Sequence, residues 1–377
     1  MQDFSFAQPV NRPQHGGNIA WAASLAGCSP LDILDFSASI NPLGPPKSAI
    51  AAIQASWDSL THYPDPRYLH LRQVLAAHHQ IDPGWVLPGN GSAELLTWAS
   101  RELAELPSTA LITPAFGDYY RALKSFGATL HPCPIALSYP LTASPGVVLT
   151  PCPTLSSLTN TAGLLLNNPH NPTGAMFSVE AIRPLLERFS LVVVDEAFMD
   201  FVLPDHQQSL IALITQYPNL VILRSLTKFY SLPGLRLGYA IAHPDRLQRW
   251  QEWRDPWSVN VLAEAAAIAV LQDIAFQQHT FDWLEQTRSP LYRQLANIPG
   301  LQPLPGVANY FLVQSDYPVL QLQQELLQQH KILIRDCTSF AELGDRYFRI
   351  AIRTALENDR LLKGLTQTLS TLSTLKG

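Results

Sequence analysis

The chain has 377 residues, 47% hydrophobic and 15% charged, with a net charge of -5 at neutral pH; that length exceeds a single core, so two domains are expected, and the composition excludes a disordered chain. No basic block or arm is present, which gives no support to nucleic-acid binding. The four cysteines, Cys28, Cys133, Cys152 and Cys337, show no CxxC spacing, so neither a metal site nor a disulfide framework is indicated, and they read as free thiols of a reducing compartment.

Residues 1–14 read as a loose arm, without the basic and apolar regions of a signal peptide. No apolar run reaches membrane-spanning length, so the expectation is a soluble cytoplasmic protein with no membrane partner. A helix-like stretch runs from His15-Gly16-Gly17-Asn18 to Ala26, and Asp35–Ile40 reads as a short strand. Asn41–Pro46 is a turn, Lys47–Ser56 a helix, Tyr63–Pro66 a second turn and Leu69–His79 a helix. Gly89-Asn90-Gly91-Ser92-Ala93-Glu94 then opens a helix running through Leu103. A glycine-rich turn at a helix start can bind an anion through its free N–H groups and the helix dipole; on its own such a turn is more often an ordinary helix start, here capped by Ser92.

From there strands and helices alternate. Strands are expected at Ala110–Thr113, Ala128–Pro132, Gly163–Asn167 and Leu191–Glu196, and helices at Tyr119–Phe126, Val179–Phe189 and Gln208–Gln216. Residues 133–160 read as loops around one further element. Two more strands, Val221–Leu223 and Gly238–Ala242, flank a loop. Such alternation implies a mostly parallel α/β sheet, with ligands beyond the carboxyl ends of its strands. Pro244–Trp253 reads as a helix, and Asn260 to about Ala296 as long helices interrupted near Pro290. A second unit follows: strands Tyr310–Val313, Ile332–Arg335 and Tyr347–Ala351, with helices Pro318–His330 and Leu356–Leu372.

The chemistry gathers at strand ends. The loop between the two later strands reads Ser225-Leu226-Thr227-Lys228, with Arg236-Leu237-Gly238 just beyond. A lysine amine can attack an aldehyde, and Ser225, Thr227 and Arg236 can hold a phosphate near it. An aldehyde with a phosphate tail is pyridoxal 5'-phosphate. By itself the lysine is equally a solvated loop residue. Asp195 ends an apolar strand, where an unpaired carboxylate is costly. A protonated pyridine nitrogen would pair it, as would an ordinary salt bridge. Asn171 can donate to a phenolic oxygen, or simply serve its turn.

Taken together, Asn168-Pro169-His170-Asn171-Pro172-Thr173-Gly174, Asp195-Glu196-Ala197-Phe198, Ser225–Lys228 and Arg236-Leu237-Gly238 resemble the fold-type I pyridoxal-phosphate enzymes of the aminotransferase class I/II branch, in that branch's order. The resemblance implies a large cofactor domain at 46–270, with a mostly parallel sheet flanked by helices, and a small α+β domain joining 1–45 to 271–377. It implies a homodimer with shared active sites. Lys228 matches the lysine that bonds the cofactor and Asp195 the partner of its ring nitrogen. Asn171 matches the contact to the phenolic oxygen, and Phe116 the aromatic stacked on the ring. Gly91, Ser92, Ala93, Ser225 and Arg236 match the phosphate cradle. Tyr63 matches a tyrosine reaching the neighbouring subunit's cofactor phosphate, and Arg349 the arginine that binds a substrate carboxylate. Many members carry tyrosine where Phe198 stands, so one hydrogen bond to the phenolic oxygen is missing here.

The ends narrow the resemblance. His15-Gly16-Gly17-Asn18, Asp35–Gly44, Leu333–Cys337 and Arg349–Arg353 look like the threonine-phosphate decarboxylases of cobalamin biosynthesis, close relatives of histidinol-phosphate aminotransferases. The usual Asn-Glu-Asn-Pro of the latter is replaced by Ser39-Ile40-Asn41-Pro42. That resemblance implies a small phosphorylated amino acid as substrate, decarboxylation as the reaction, and His15, Asn41, Arg335, Arg349 and Arg353 as substrate-binding residues. An aminotransferase acting on histidinol phosphate is the alternative reading. A cofactor-binding sensor is a third, but no basic helix-turn-helix segment precedes the fold.

Overall fold

The computed structural model describes residues 12, 13, 15–135 and 162–374. The expected arm at 1–14 and the stretch 133–160 fall largely outside them. Helix α1 spans Ile19–Ala26, β1 Leu34–Asp35, α2 Lys47–Ala55, α3 Leu69–His79, β2 Val86–Asn90, α4 Gly91–Ala104, β3 Thr109–Thr113, α5 Gly117–Ser125 and β4 Leu130–Pro134. After 161 come β5 Gly163–Asn167, α6 Val179–Arg188, β6 Leu191–Asp195, β7 Leu220–Ser225, β8 Leu237–Ala242, α7 Pro244–Trp253, α8 Val261–Leu271 and α9 Ile274–Ala296. The chain closes with β9 Leu301–Pro303, β10 Tyr310–Ser315, α10 Val319–His330, β11 Ile332–Leu333, β12 Arg335–Asp336, β13 Tyr347–Ala351 and α11 Ala355–Thr374.

Seven strands form the main sheet in the order β2-β8-β7-β6-β5-β3-β4. Strand β8 runs antiparallel to both neighbours, and every other pair is parallel. The central strands are continuous apolar runs because both their faces are covered. Alternate side chains point to opposite faces, and the runs divide accordingly. Leu164, Leu166, Val192, Val194 and Ile222 enter one core, while Leu165, Val193, Val221 and Leu223 enter the other.

A second sheet, β12-β13-β10-β9, is antiparallel throughout. The N-terminal segment joins this end of the chain, since β1 pairs in parallel with β11, Leu34 opposite Ile332. The expected strand Ile332–Arg335 is therefore two short ones. Its first half pairs with β1, and after the buried Ile334 its second half joins β13.

Other expectations shift for local reasons. Asp35–Ile40 is not a strand beyond Asp35. The Asp35 carboxylate accepts from both the N–H (2.7 Å) and the hydroxyl (2.6 Å) of Ser37, a side-chain turn that competes with strand pairing. The segment Gln208–Gln216 forms only a short 3-10 turn at Ile211–Leu213. Its start is pinned by Glu196, which accepts from the Ser209 hydroxyl and the Leu210 N–H. The long helices part at Gln272-Asp273 and not at Pro290. Asp273 caps α9 by accepting from the Phe276 N–H, whereas Pro290 lies on an exposed side of the helix and removes one backbone donor.

Two close approaches matter for the cleft. A Cβ on Gly238 would stand 2.5 Å from the Ser92 nitrogen and 2.6 Å from the Arg224 oxygen. Gly238→Ala should therefore destabilise the fold by roughly 1–3 kcal/mol, as overpacking does, visible as an earlier urea midpoint. The backbones of Gly174 and Gly306 also touch, with a Gly306 Cβ only 3.1 Å from the Gly174 Cα, and the Val307 N–H donates to the Gly174 carbonyl at 2.8 Å.

Candidate active site

Parallel register sets the ends of the central strands in one row. Asn167, Asp195 and Leu223 are neighbours across β5, β6 and β7, and Ser225 faces Gly238 of β8. A cleft of about 310 Å³ opens beyond these ends, where open α/β sheets bind ligands. Gly91, Ser92, Ala93, Phe116, Asn171, Asp195, Ser225, Lys228, Arg236, Arg349 and His15 all line it.

One end of the cleft is built for an anion. Helix α4 starts at Gly91 directly after β2, with no side-chain cap from Asn90. Its first-turn N–H groups have no partner within the helix. Gly91 has φ +73°, and a Cβ there would lie 2.7 Å from Nη2 of Arg236, so the guanidinium rests against bare backbone. Ser225 and Thr227 hydroxyls pair at 2.7 Å beside it.

At the other end sits Asp195. Its carboxylate accepts from the Tyr119 hydroxyl at 2.7 Å and from the Ala197 N–H at 3.0 Å. Burial nevertheless pushes its pKa above the ordinary carboxylate range, the state that an added cation would relieve. Tyr119 meets the Phe116 ring edge-on at 5.7 Å between centroids.

Lys228 follows β7 by three residues, and its backbone oxygen accepts from the Asn41 N–H. Burial, then the nearby Arg349 and Arg236, hold its amine down at about 8, against the pull of Asp195. A substantial neutral fraction suits a nucleophilic amine.

Arg349 comes from β13 and reaches across to the main sheet. Its Nη1 donates to Oδ1 of Asn171 at 2.5 Å and its Nη2 to the Ser37 carbonyl at 3.2 Å. Its guanidinium lies 4.9 Å from the Tyr310 ring. Phe198 packs edge-on against the same ring at 4.9 Å. His15 crosses the cleft mouth 5.2 Å from the Phe116 ring, and burial with Arg335 nearby lowers its pKa.

Four expected residues lie elsewhere. Asn41 is buried outside the cleft, its amide donating to the Phe229 carbonyl and the Thr280 hydroxyl and accepting from the Leu43 N–H. These bonds occupy it as a fastener of the Lys228 loop, which removes it from the substrate contacts. Arg353 is likewise withdrawn, held by Glu357 at 2.6 Å and by the Asp35 carbonyl. Arg335 lies behind the His15-Gly16 strap in a narrow gap, donating to the Ser339 hydroxyl at 2.7 Å. Tyr63 is 78% exposed and stacks on Trp257 at 4.5 Å, away from this chain's own cleft.

The sequence reasoning missed Tyr119 and Ser37. Tyr119 sits one helical turn after Phe116, a spacing that would have placed its hydroxyl on the same face. Ser37 accepts from the Gly17 N–H at 2.8 Å and so ties the strap to Arg349. It also missed the buried pair of Arg224 with Glu196 (3.0 Å) and Asp200 (2.5 Å), which joins the ends of β6 and β7 behind the cleft. Among the described residues no His, Cys, Asp and Glu cluster is placed to hold a metal, and no helix is long and apolar enough to cross a membrane.

Known proteins resemble this chain in sequence and fold. A threonine-phosphate decarboxylase from Salmonella typhimurium is 40% identical over 363 residues, 94% of this chain and 96% of its own. The histidinol-phosphate aminotransferase of Clostridium acetobutylicum superposes with a TM-score of 0.81 at 26% identity, covering 90% of this chain and 100% of the other. That of Sinorhizobium meliloti, solved in complex with pyridoxal-5'-phosphate, has the same fold, with a TM-score of 0.82 at 23% identity over 98% of this chain and 99% of its own. Residues 32–365, which hold both sheets and all of the cleft except the His15-Gly16 strap, match aminotransferase class I and II. With the sheet order, the strand-end cleft and the sequence in agreement, the chain belongs to the aminotransferase class I and II family.

Proposed function

We propose that the protein is a pyridoxal 5'-phosphate enzyme that decarboxylates L-threonine O-3-phosphate to (R)-1-amino-2-propanol O-phosphate, in the cytoplasm and for cobalamin biosynthesis. The observation that carries this reading is the 40% identity to the Salmonella typhimurium decarboxylase across 94% of the chain.

The residues present fit the cofactor. The α4 N-terminus, Ser225 and Arg236 suit its phosphate. Asp195, raised by burial, would hold a protonated ring nitrogen, and the lowered amine of Lys228 would bond its aldehyde carbon. Phe116 would cover the ring and Asn171 would meet the phenolic oxygen. When bound, the cofactor supplies an electron sink for the pair left on Cα. The chain's own groups do the rest. The Cα–carboxylate bond breaks, carbon dioxide leaves, and Lys228 Nζ delivers a proton to Cα in its place.

Arg349 would orient the substrate carboxylate. An arginine that stabilises this group also resists its loss, since only interactions stronger in the transition state accelerate the step. His15 at the cleft mouth would grip the substrate phosphate and set the breaking bond across the ring, with Arg335 joining it across the strap from the gap behind. Arg335→Ala should therefore raise KM for phosphothreonine by about 10-fold or more, the loss of a charge-assisted bond worth roughly 1.5–3 kcal/mol. Steady-state kinetics on that variant test the point, and unchanged constants would remove Arg335 from the site.

The same reading divides the chain into 46–270 and 1–45 with 271–377, a division the β1–β11 pairing supports. It also pairs two chains. Tyr63, Trp57 and Leu60 are exposed on one stretch, an apolar face suited to a second copy; sedimentation should report a dimer. The reaction itself is tested by product analysis. Carbon dioxide release from phosphothreonine without consumption of a 2-oxoacid supports decarboxylation, whereas robust amino transfer from histidinol phosphate to 2-oxoglutarate would replace it with the aminotransferase reading.

A further inference from the structure

A second cavity, about 540 Å³, lies behind the Asn171 loop. Its walls come from the segments that follow β5 and β6, from α9 and from Val307. That volume is within the range of small-molecule pockets. Phe201, Val202 and Leu284 form a buried apolar floor, and Asp205, His206 and Glu285 stand exposed at the rim.

Arg288 of α9 faces this space. Its Nη2 donates to the Val307 carbonyl at 2.7 Å. Nε is buried without a hydrogen bond, and among the described residues no ion pair reaches the group, although Glu285 is one turn away. A half-buried guanidinium without a carboxylate is costly, because its desolvation is not repaid by a partner charge. Burial alone pulls its pKa down to about 10, so it stays charged at neutral pH. Nothing in the decarboxylation uses this group, and the cavity shares no lining residue with the cleft.

We propose that this cavity is a binding site for a small monocarboxylate with an apolar or aromatic body. The carboxylate would take the guanidinium's free Nη1 edge, for which arginine's planar donors suit a planar anion. The body would lie on Phe201 and Leu284. The rim carboxylates Asp205 and Glu285 repel a ligand with more negative charge, which favours a monoanion over a dianion such as a phosphate monoester. The site adjoins the Gly174–Gly306 contact through Met176 and Val307, so an occupant would brace the backbone behind Asn171.

Benzoate is the probe. Titrated calorimetrically into holoenzyme, it should bind saturably at one site per chain. That site should persist in Arg349→Gln and weaken at least tenfold in Arg288→Gln. An absence of saturable heat, or a site lost in Arg349→Gln and kept in Arg288→Gln, overturns the proposal. Because Arg288→Gln can perturb folding, 4-azidobenzoate is photolysed on the unmodified holoenzyme as well. Labelled peptides containing residues 201–208 or 281–289 support the site, and label confined to peptides of the cleft overturns it.

Discussion

Replacing Lys228 with alanine should lower the decarboxylation rate by about 10³-fold or more, since a positioned general acid alone contributes typically about 10²–10⁴-fold and the proposed covalent anchor of the cofactor would be lost with it. The fold should survive. Among the described residues the Lys228 side chain makes no hydrogen bond, and the loop is held through its backbone, with the Lys228 carbonyl accepting from the Asn41 and Ser231 N–H groups. The loss is thus separable from unfolding by an unchanged far-ultraviolet circular dichroism spectrum. Borohydride reduction of the unmodified protein followed by peptide mapping should mark Lys228, and marking of Lys124 or Lys47 instead would sink the assignment. The pH dependence follows from the lowered amine. Below about 8 the amine is protonated and cannot attack; above it the neutral form dominates. Reloading of stripped protein with cofactor, followed by its visible absorbance, should therefore accelerate as pH rises through that value.

Asp195→Asn should reduce turnover by about 10²–10³-fold, the scale seen when one preorganised electrostatic partner is removed. The asparagine has nearly the same shape but no charge. A ring nitrogen facing it would lose its reason to stay protonated, and the electron sink would weaken. A structural cost accompanies this. The aspartate accepts separately from Tyr119 and Ala197, whereas asparagine keeps one acceptor oxygen for the Ala197 N–H and turns its amide to Tyr119, whose hydroxyl then accepts, so one bond is reversed and loses its charge assistance, a cost of about 1 kcal/mol. Tyr119→Phe separates the effects, because it removes a hydrogen bond and leaves the charge. Its turnover should fall far less than that of Asp195→Asn. Near-normal turnover in Asp195→Asn would mean that the carboxylate is only structural.

The parts of this molecule that could be read from sequence are those where one physical demand dominates. Leu191–Val194 and Gly163–Leu166 must be strands because nothing but a doubly covered sheet buries such runs, and chemistry then belongs at their carboxyl ends. Lys228, Asp195, Asn171 and the Gly91 turn were found this way and do share one cleft. Where a side chain competes with the backbone, sequence pattern failed. Asp35 folds its own chain into a turn around Ser37, and Asp273 starts a helix where Pro290 looked the natural break. Substrate contacts were harder again. Asn41 and Arg353 stand in the right segments, yet Thr280 and Glu357, distant or unremarked in the sequence, had already engaged them. Which of several arginines reaches a cleft depends on place in the sheet: Arg335 and Arg349 are register partners on one face, but β13 brings Arg349 to Asn171 while the edge strand β12 leaves Arg335 behind the strap.

The touching backbones of Gly174 and Gly306 set a dimension of the catalytic space. Asn171 stands three residues before the first glycine, and Arg349 belongs to the sheet whose strand β10 begins four residues after the second. Two absent methyl groups thus act as a feeler gauge between the asparagine and the arginine that clasps it. A methyl at either position would be a shim, holding the jaws apart by the thickness of an atom and loosening the Arg349–Asn171 bond that neither glycine touches. The spacing of these two side chains is thus set at a contact outside the cleft, in residues that carry no functional group at all.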